Sequence, residues 1–296
     1  MNKIAILQAR MSSSRLPGKV LQDISGRPLL QYMLERLHGS KQIDSLVLAT
    51  TTDPSDDVLE GLCRKLHLPC YRGSLHDVLD RFYQAADRFS ADVIIRLTAD
   101  CPLIDPQLLD LTVAVFLGET PASQVQILPQ AHDHRSQSAG PFDFAANRLP
   151  PPWVRTLPIG LDVEVCSFSA LERAWKEANK PYQREHVMPY LYEGITFPEP
   201  GPSAKVSWFI LHGTSPRGIS VGLLNHQPDF GDLRWTVDTP EDLQFARAVA
   251  AHFAGCESFS WLEILDLLEQ EPELAAINAS VKHKSAFDVD QRSPGV

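Results

Sequence analysis

Lys3-Ile4-Ala5-Ile6-Leu7-Gln8-Ala9, followed at once by Arg10-Met11-Ser12-Ser13-Ser14-Arg15-Leu16-Pro17-Gly18-Lys19, is the stretch on which the reading of the chain turns. Its first part is a short apolar run, as expected of a strand buried on both faces. Its second part gathers three cations, three serine hydroxyls and a Pro-Gly turn directly after that strand. Outward from here, strand and helix alternate. Strands are predicted over 3–9, 45–50, 69–72 and 92–98, and helices over 29–37, 55–66, 76–89 and 106–117. This alternation argues for an α/β fold with a mostly parallel central sheet flanked by helices. In such sheets ligands bind beyond the carboxyl ends of the strands. The segment from Arg10 to Lys19, together with Asp53 and Asp100, falls at those ends.

The pattern weakens over 118–152, a stretch rich in Gln, Ser, Pro and His. It returns with a strand over 161–165 and helices over 169–178 and 181–193. A second irregular segment, 197–201, leads to strands over 206–211 and 219–224. A further strand is predicted over 232–237, then a helix over 240–253 capped by Asp238 or Thr239, then a last helix over 261–268. The tail from about 279 is polar and is expected to fray. The division expected is a domain over 1–254, with insertions near 119–142 and 197–230, and a C-terminal helical extension with a flexible tail over 255–296.

The 296 residues, 44 % hydrophobic, allow a sizeable core. A net charge of −10 argues against a broad basic surface and so against long nucleic acid as partner, while local cations still suit an anionic small molecule. The five cysteines, Cys63, Cys70, Cys101, Cys166 and Cys256, are scattered and form no C-x-x-C pair, which fits a reducing compartment. No apolar run approaches the ~20 residues of a membrane span. Cytoplasm is the expected location, with no membrane partner.

Three groups of residues carry candidate chemistry. The loop Arg10–Lys19 offers what a polyphosphate needs, cations and a tight backbone, and the Pro17-Gly18 turn would fold Lys19 back toward Arg10. An ordinary solvated βα loop has the same composition. Asp100 and Asp238 are each expected at a strand end shortly before a proline, and two such carboxylates can share one hard cation such as Mg²⁺. Each alone reads first as a helix N-cap. Asp162 and Glu164 have the period-2 spacing of one strand face, which suits sugar hydroxyls, a metal or plain solvent. Gln183-Arg184-Glu185-His186 opens a predicted helix, Asp80-Arg81 reads as a helix-surface charge pair, and His132 and His134 make a weak metal motif.

Residues 8–21 closely resemble the nucleotide-binding signature of the cytidylyltransferases that make CMP-activated sugar acids, the CMP-acylneuraminate and CMP-3-deoxy-manno-octulosonate synthetases among them. Further motifs fall in the matching order: Arg72-Gly73-Ser74 with Asp77-Val78-Leu79-Asp80-Arg81, Thr98-Ala99-Asp100-Cys101-Pro102, Gly160-Leu161-Asp162-Val163-Glu164-Val165, Arg184-Glu185-His186-Val187, and Arg234-Trp235-Thr236-Val237-Asp238-Thr239-Pro240. Together they resemble the branch of spore-coat polysaccharide biosynthesis protein F-like cytidylyltransferases, over about 3–118, 143–195 and 231–252. The resemblance implies a Rossmann-like nucleotidyltransferase fold. It implies a triphosphate held by Arg10 and Lys19 in a loop that includes Ala9, Arg15 and Gly18, and Mg²⁺ on Asp100 and Asp238. It also implies nucleotide contacts from Asp80 and Arg81, a sugar side lined by Asp162, Glu164, Glu185 and His186, and a homodimer. The expected reaction is cytidylyl transfer from CTP to a sugar or sugar acid. A glycosyltransferase using a nucleotide-sugar, or a non-catalytic binding homologue, is the alternative. The stretches 119–142 and 197–230 and the chain after 254 depart from the pattern.

Overall fold

In the first strand, Ile4 and Ile6 pack on one face of a sheet and Ala5 and Leu7 on the other, all buried. That two-sided burial is what a continuous apolar run produces at the centre of a helix-covered sheet. The computed structural model describes residues 1–120, 125–128, 141–153, 155–197, 207–256 and 258–282. Its strands are β1 (Lys3–Gln8), β2 (Asp23–Ile24), β3 (Arg27–Pro28), β4 (Ser45–Thr51), β5 (Cys70–Gly73), β6 (Val93–Thr98), β7 (Val125–Ile127), β8 (Phe144–Ala146), β9 (Glu164–Ser167), β10 (Trp208–Thr214) and β11 (Ser220–His226). Its helices are α1 (Leu29–Leu37), α2 (Asp57–Lys65), α3 (Val78–Arg88), α4 (Pro106–Leu117), α5 (Phe168–Glu177), α6 (Pro181–His186), α7 (Pro189–Tyr192), α8 (Pro240–His252), α9 (Trp261–Gln270) and α10 (Pro272–Ala276).

Nine strands form one sheet in the order β5-β4-β1-β6-β9-β8-β11-β10-β7, and β2 and β3 make a separate ribbon. From β5 to β6 every pairing is parallel. Beyond β6 the sheet is mixed, with β9 antiparallel to both β6 and β8, and β10 antiparallel to β11. One face carries α1, α4, α8 and α9, and the other carries α3, α5 and α7. This is the α/β architecture the alternation predicts. No helix among the described residues is long and apolar enough to cross a membrane.

Several expectations are corrected. The helix expected over 181–193 is two short helices, because Val187 takes a left-handed φ of 71° and Pro189 cannot continue the hydrogen-bond ladder. Arg184, Glu185 and His186 therefore close a helix rather than open one. The strand expected over 161–165 forms over Glu164–Ser167, so Asp162 precedes it. The segment 232–237 makes a single parallel bridge, Ile159 to Arg234, instead of a strand. Its backbone bonds elsewhere: Val237 N–H donates to the Asp100 carbonyl at 2.7 Å, so the segment crosses the end of β6. The strands expected over 206–211 and 219–224 do form, as β10 and β11, a hairpin of the central sheet. His132, His134 and residues 283–296 of the tail lie outside the described residues.

The chain after 254 joins the core. Phe259, Trp261, Ile264 and Leu267 are buried, and Arg36, itself buried, donates to the Phe259 carbonyl at 2.9 Å and stacks on its ring.

Candidate active site

The loop after β1 is shaped by its own backbone and by one buried acid. Gly18 N–H donates to the Met11 carbonyl at 2.9 Å, closing the loop over residues 11–18. Gly18 stands at φ 70°, a left-handed conformation that costs a side-chain-bearing residue free energy, and it turns the chain into a short 3₁₀ turn, Lys19–Leu21. At the other end of the loop, Met11 N–H donates to Asp56 Oδ1 at 2.7 Å. Asp56 is buried and also accepts from Thr50 Oγ1 and Thr51 N–H, so the end of β4 grips the loop after β1.

Lys19 is the centre of the site. Its Nζ donates to Asp100 Oδ2 at 2.8 Å, to Asp238 Oδ1 at 2.8 Å and to the Val237 carbonyl at 2.9 Å. The two acids expected to meet do so, on one ammonium. Neither serves as an N-cap: Asp105 caps α4, accepting from Gln107 N–H and Leu108 N–H, and Thr239 caps α8. Both carboxylates are thereby turned to the ion pairs around Lys19. Gly160 lets the chain come together here, since a Cβ on it would stand 2.5 Å from Thr236 N, with φ at 106°. Asp238 is further held by Arg15 at 2.5 Å and by Arg234 at 2.8 Å. Asp242, fully buried, grips Arg234 at 2.9 and 3.1 Å.

Burial opposes the charge on Lys19, but Asp100 and Asp238 outweigh it and raise its pKa above the ordinary lysine value. Burial likewise pulls the Asp100 carboxyl up, and the Lys19 ammonium with its hydrogen bonds brings it well below the usual carboxylate range. The result is a locked ion cluster in which Lys19, Arg15 and Arg234 face Asp100, Asp238 and Asp242.

The cluster forms the floor of a cavity of about 230 Å³. Ala9, Arg10, Arg15, Lys19, Asp100, Asp238, Glu185 and His186, all expected from the sequence, line it with Gln8, Ser13, Ser14 and Thr98. A neighbouring cavity of about 170 Å³, lined by Leu75, His76, Val78 and Arg96, shares Gln8, Arg10, Glu185 and His186 with the first. Helix α6 is held in place by Arg184, which forms an ion pair with Asp77 at the start of α3.

Other expected residues lie outside the cavity lining. Gly18 acts through the backbone turn alone. Asp80 accepts from the Trp175 indole at 2.9 Å, and Arg81 is buried with Nη1 donating to the Ser74 carbonyl at 2.5 Å. Asp162 pairs with Arg148 at 2.8 Å and accepts from Gly160 N–H at 2.7 Å. Glu164 pairs with Arg96, its cross-strand neighbour. Asp53 caps the turn before α2. Sequence reasoning missed Arg96, Asp56 and Asp242. Arg96 left a signal, a cation inside the apolar strand Ile94-Ile95-Arg96-Leu97, whereas Asp56 and Asp242 read as ordinary helix-start acids.

No group of three His, Cys, Asp or Glu forms a metal cage among the described residues. Mg²⁺ does not require one, because it binds through one or two carboxylates together with substrate phosphates and water. Asp100 and Asp238, hard oxygen donors converging on a single cationic group, fit that pattern.

Comparison with known proteins places these residues in context. A family model described as Cytidylyltransferase matches residues 4–199. An uncharacterized protein of Methanocaldococcus jannaschii is 33 % identical over 294 residues, 98 % of this chain and 100 % of that protein. The spore coat polysaccharide biosynthesis protein SpsF of Bacillus subtilis is 29 % identical over 274 residues, 91 % of this chain and 95 % of its own length. Among solved structures, a cytidylyltransferase from Leptospira borgpetersenii superposes with a TM-score of 0.74 at 29 % identity, covering 96 % of this chain and 100 % of that one.

Proposed function

The chain belongs to the cytidylyltransferase family and is an enzyme of that type, and on that premise we propose that it transfers the cytidylyl group of CTP to a sugar acid with release of pyrophosphate. A hydroxyl of the sugar acid attacks the α-phosphorus in line. The new bond joins that hydroxyl oxygen to phosphorus, the bond from the α-phosphorus to the bridging oxygen breaks, and the hydroxyl proton passes to water. The CMP-activated sugar would serve a later step that transfers the sugar to a polysaccharide.

One observation carries the reading: Lys19 Nζ sits 2.8 Å from both Asp100 and Asp238, on the floor of a cavity walled by Arg10, Arg15 and the serines of the loop. Arg10 and Lys19 hold the triphosphate, and the loop N–H groups and hydroxyls orient it. When the triphosphate lies in the cavity, the ammonium of Lys19 is placed to pass from the carboxylates to the departing pyrophosphate oxygens. Three cations face three carboxylates in the cluster, so a divalent cation would bind Asp100 and Asp238 only as Lys19 turns from them to the triphosphate. Mg²⁺ held by Asp100 and Asp238 would supply positive charge to the phosphate oxygens as charge develops on them. Glu185 and His186, on the far wall, face the acceptor. Catalysis is then mainly positioning and electrostatics.

The test is pyrophosphate release from each of the four nucleoside triphosphates against a panel of sugar acids and phosphorylated sugars. Release from CTP with a sugar acid is expected. Release only with another triphosphate, or only with phosphorylated sugars, would overturn the proposal.

A further inference from the structure

Asp238 is oriented by a run of buried hydrogen bonds that ends in the C-terminal extension, beyond the residues matched by the family model. Its carboxylate accepts from Arg234 Nη2 at 2.8 Å, and its backbone N–H donates to Asp242 Oδ2 at 3.0 Å. Asp242 fixes the guanidinium of Arg234 through both carboxylate oxygens. Asn278, which follows α10, completes the set. Its Nδ2 donates to Asp242 Oδ1 at 3.0 Å and to the Arg234 carbonyl at 2.8 Å. Only 4 % of Asn278 is exposed, so these bonds are made away from solvent.

The extension is firmly anchored, which gives the amide a fixed position. Trp261 N–H donates to Asp105 Oδ2 at 2.7 Å, tying the start of α9 to the cap of α4. Arg36 reaches the Phe259 carbonyl, and Trp261, Ile264 and Leu267 are buried in the core. One amide thus holds both the carboxylate that clamps Arg234 and the backbone of Arg234 itself. A buried fork of this kind has one orientation while all its partners are present. Removal of one donor frees the carboxylate to rotate.

We propose that Asn278 is a positioning residue for Asp238: through Asp242 and Arg234 it sets the orientation in which the Asp238 carboxylate receives the divalent cation. The proposal rests on the reading of Asp238 as a cation ligand. It makes the C-terminal extension part of the working site, although it contributes no wall to the active-site cavity. Groups that orient metal ligands commonly matter tenfold or more to metal affinity.

The experiment titrates Mn²⁺, standing in for Mg²⁺, into the full-length protein with CTP, and reads protein-bound Mn²⁺ by its enhancement of water-proton relaxation, against a Mn²⁺–CTP blank without protein. Asn278→Ala is expected to raise the Mn²⁺ Kd roughly tenfold. Leu171→Ala, a core truncation on the opposite face of the sheet, controls for general loosening and is expected to leave that Kd unchanged. A wild-type Kd in folded Asn278→Ala, or an equal rise in Leu171→Ala, overturns the proposal. Should Asn278→Ala melt below the assay temperature, Asn278→Ser takes its place, with a raised Kd expected and a wild-type Kd contradicting. Failure of the wild-type protein to bind Mn²⁺ with CTP would instead remove the ligand role of Asp238, and the proposal with it.

Discussion

Two carboxylates beside β6, Asp100 just beyond its end and Glu164 on β9 across from Arg96, are shifted in opposite directions. Burial pushes both upward. At Asp100 the Lys19 ammonium, together with hydrogen bonds from Lys19, Thr98 and Cys101, outweighs burial and brings the pKa down. At Glu164 burial wins, because Arg96 is its main source of relief and Asp162 stands nearby with like charge, so the pKa is raised. The two belong to different halves of the sheet. Asp100 lies on the parallel half, where Lys19 meets partners 81 and 219 positions away at the mouth of a cavity. Glu164 lies where the mixed half begins, and it meets its partner by strand register. The difference teaches how charge is used in each place. The register pair is fixed by strand pairing, and Arg96 only partly offsets the burial of Glu164. The converging cluster is held from outside, by Asp56 under the loop and by Asp242 behind Arg234, and on the proposed function its ions exchange partners with the triphosphate and the cation.

The contrast breaks first if Glu164 proves dispensable for stability. Glu164→Ala leaves the Arg96 guanidinium largely buried without its carboxylate, and a loss of about 3–5 kcal/mol is expected in urea titration, with CTP affinity of the folded protein retained. A loss under about 1 kcal/mol would show that the register pair does no structural work. Next in size, Lys19→Ala is expected to lower CTP-dependent pyrophosphate release by at least ~10²-fold while the protein stays folded by circular dichroism. Wild-type turnover would break the exchange account. Asp56→Ala, which releases Met11 N–H, is expected to raise the KM for CTP roughly tenfold with a smaller change in kcat, because it loosens the loop rather than removing a charge from the cavity.

The smallest effect is on pH dependence, and its sign differs between the two acids. The folded-state pKa of Asp100 is depressed, so its contribution to stability is present above the ordinary carboxylate pKa and is lost as the pH falls below about 4. The folded-state pKa of Glu164 is raised, so its contribution is present at acid pH and is lost as the pH rises through the carboxylate range. In Tm measured from pH 3 to 7, Asp100→Asn is expected to flatten the acid limb, and Glu164→Gln to remove the loss on the rising side. Parallel curves for the two variants would erase the distinction.

Much of the parallel half was legible because local signals agreed with the tertiary result. Leu29, Leu30, Met33, Leu34 and Leu37 recur at helical spacing, and α1 forms over those residues. Asp105-Pro106 and Gly118 mark the ends of α4. The cluster of Arg10, Arg15, Lys19, Asp100 and Asp238 was legible through its motifs. What stayed hidden was decided by contacts that sequence spacing does not encode. The run 232–237 has the composition of a strand, yet its N–H groups bond to Asp100 and Ile159 and not to a ladder. Asp80 looks like a surface charge until Trp175, 95 positions on, donates to it. Asp56 and Asn278 carry no motif at all, and their roles arise from partners dozens of positions away.

The central claim is that Asp100 and Asp238 exchange Lys19 for a divalent cation as CTP enters. The direct measurement is the Tm shift produced by CTP with and without Mg²⁺, in the wild-type protein and in the Asp100→Asn, Asp238→Asn double variant. A ligand at about 100 times its Kd stabilises the folded state by about 2.7 kcal/mol. The account therefore requires a clear rise in the wild-type protein with CTP and Mg²⁺ together, a much smaller rise with CTP alone, and no effect of Mg²⁺ in the double variant. An equal rise with and without Mg²⁺, or a Mg²⁺-dependent rise that survives loss of both carboxylates, would contradict it.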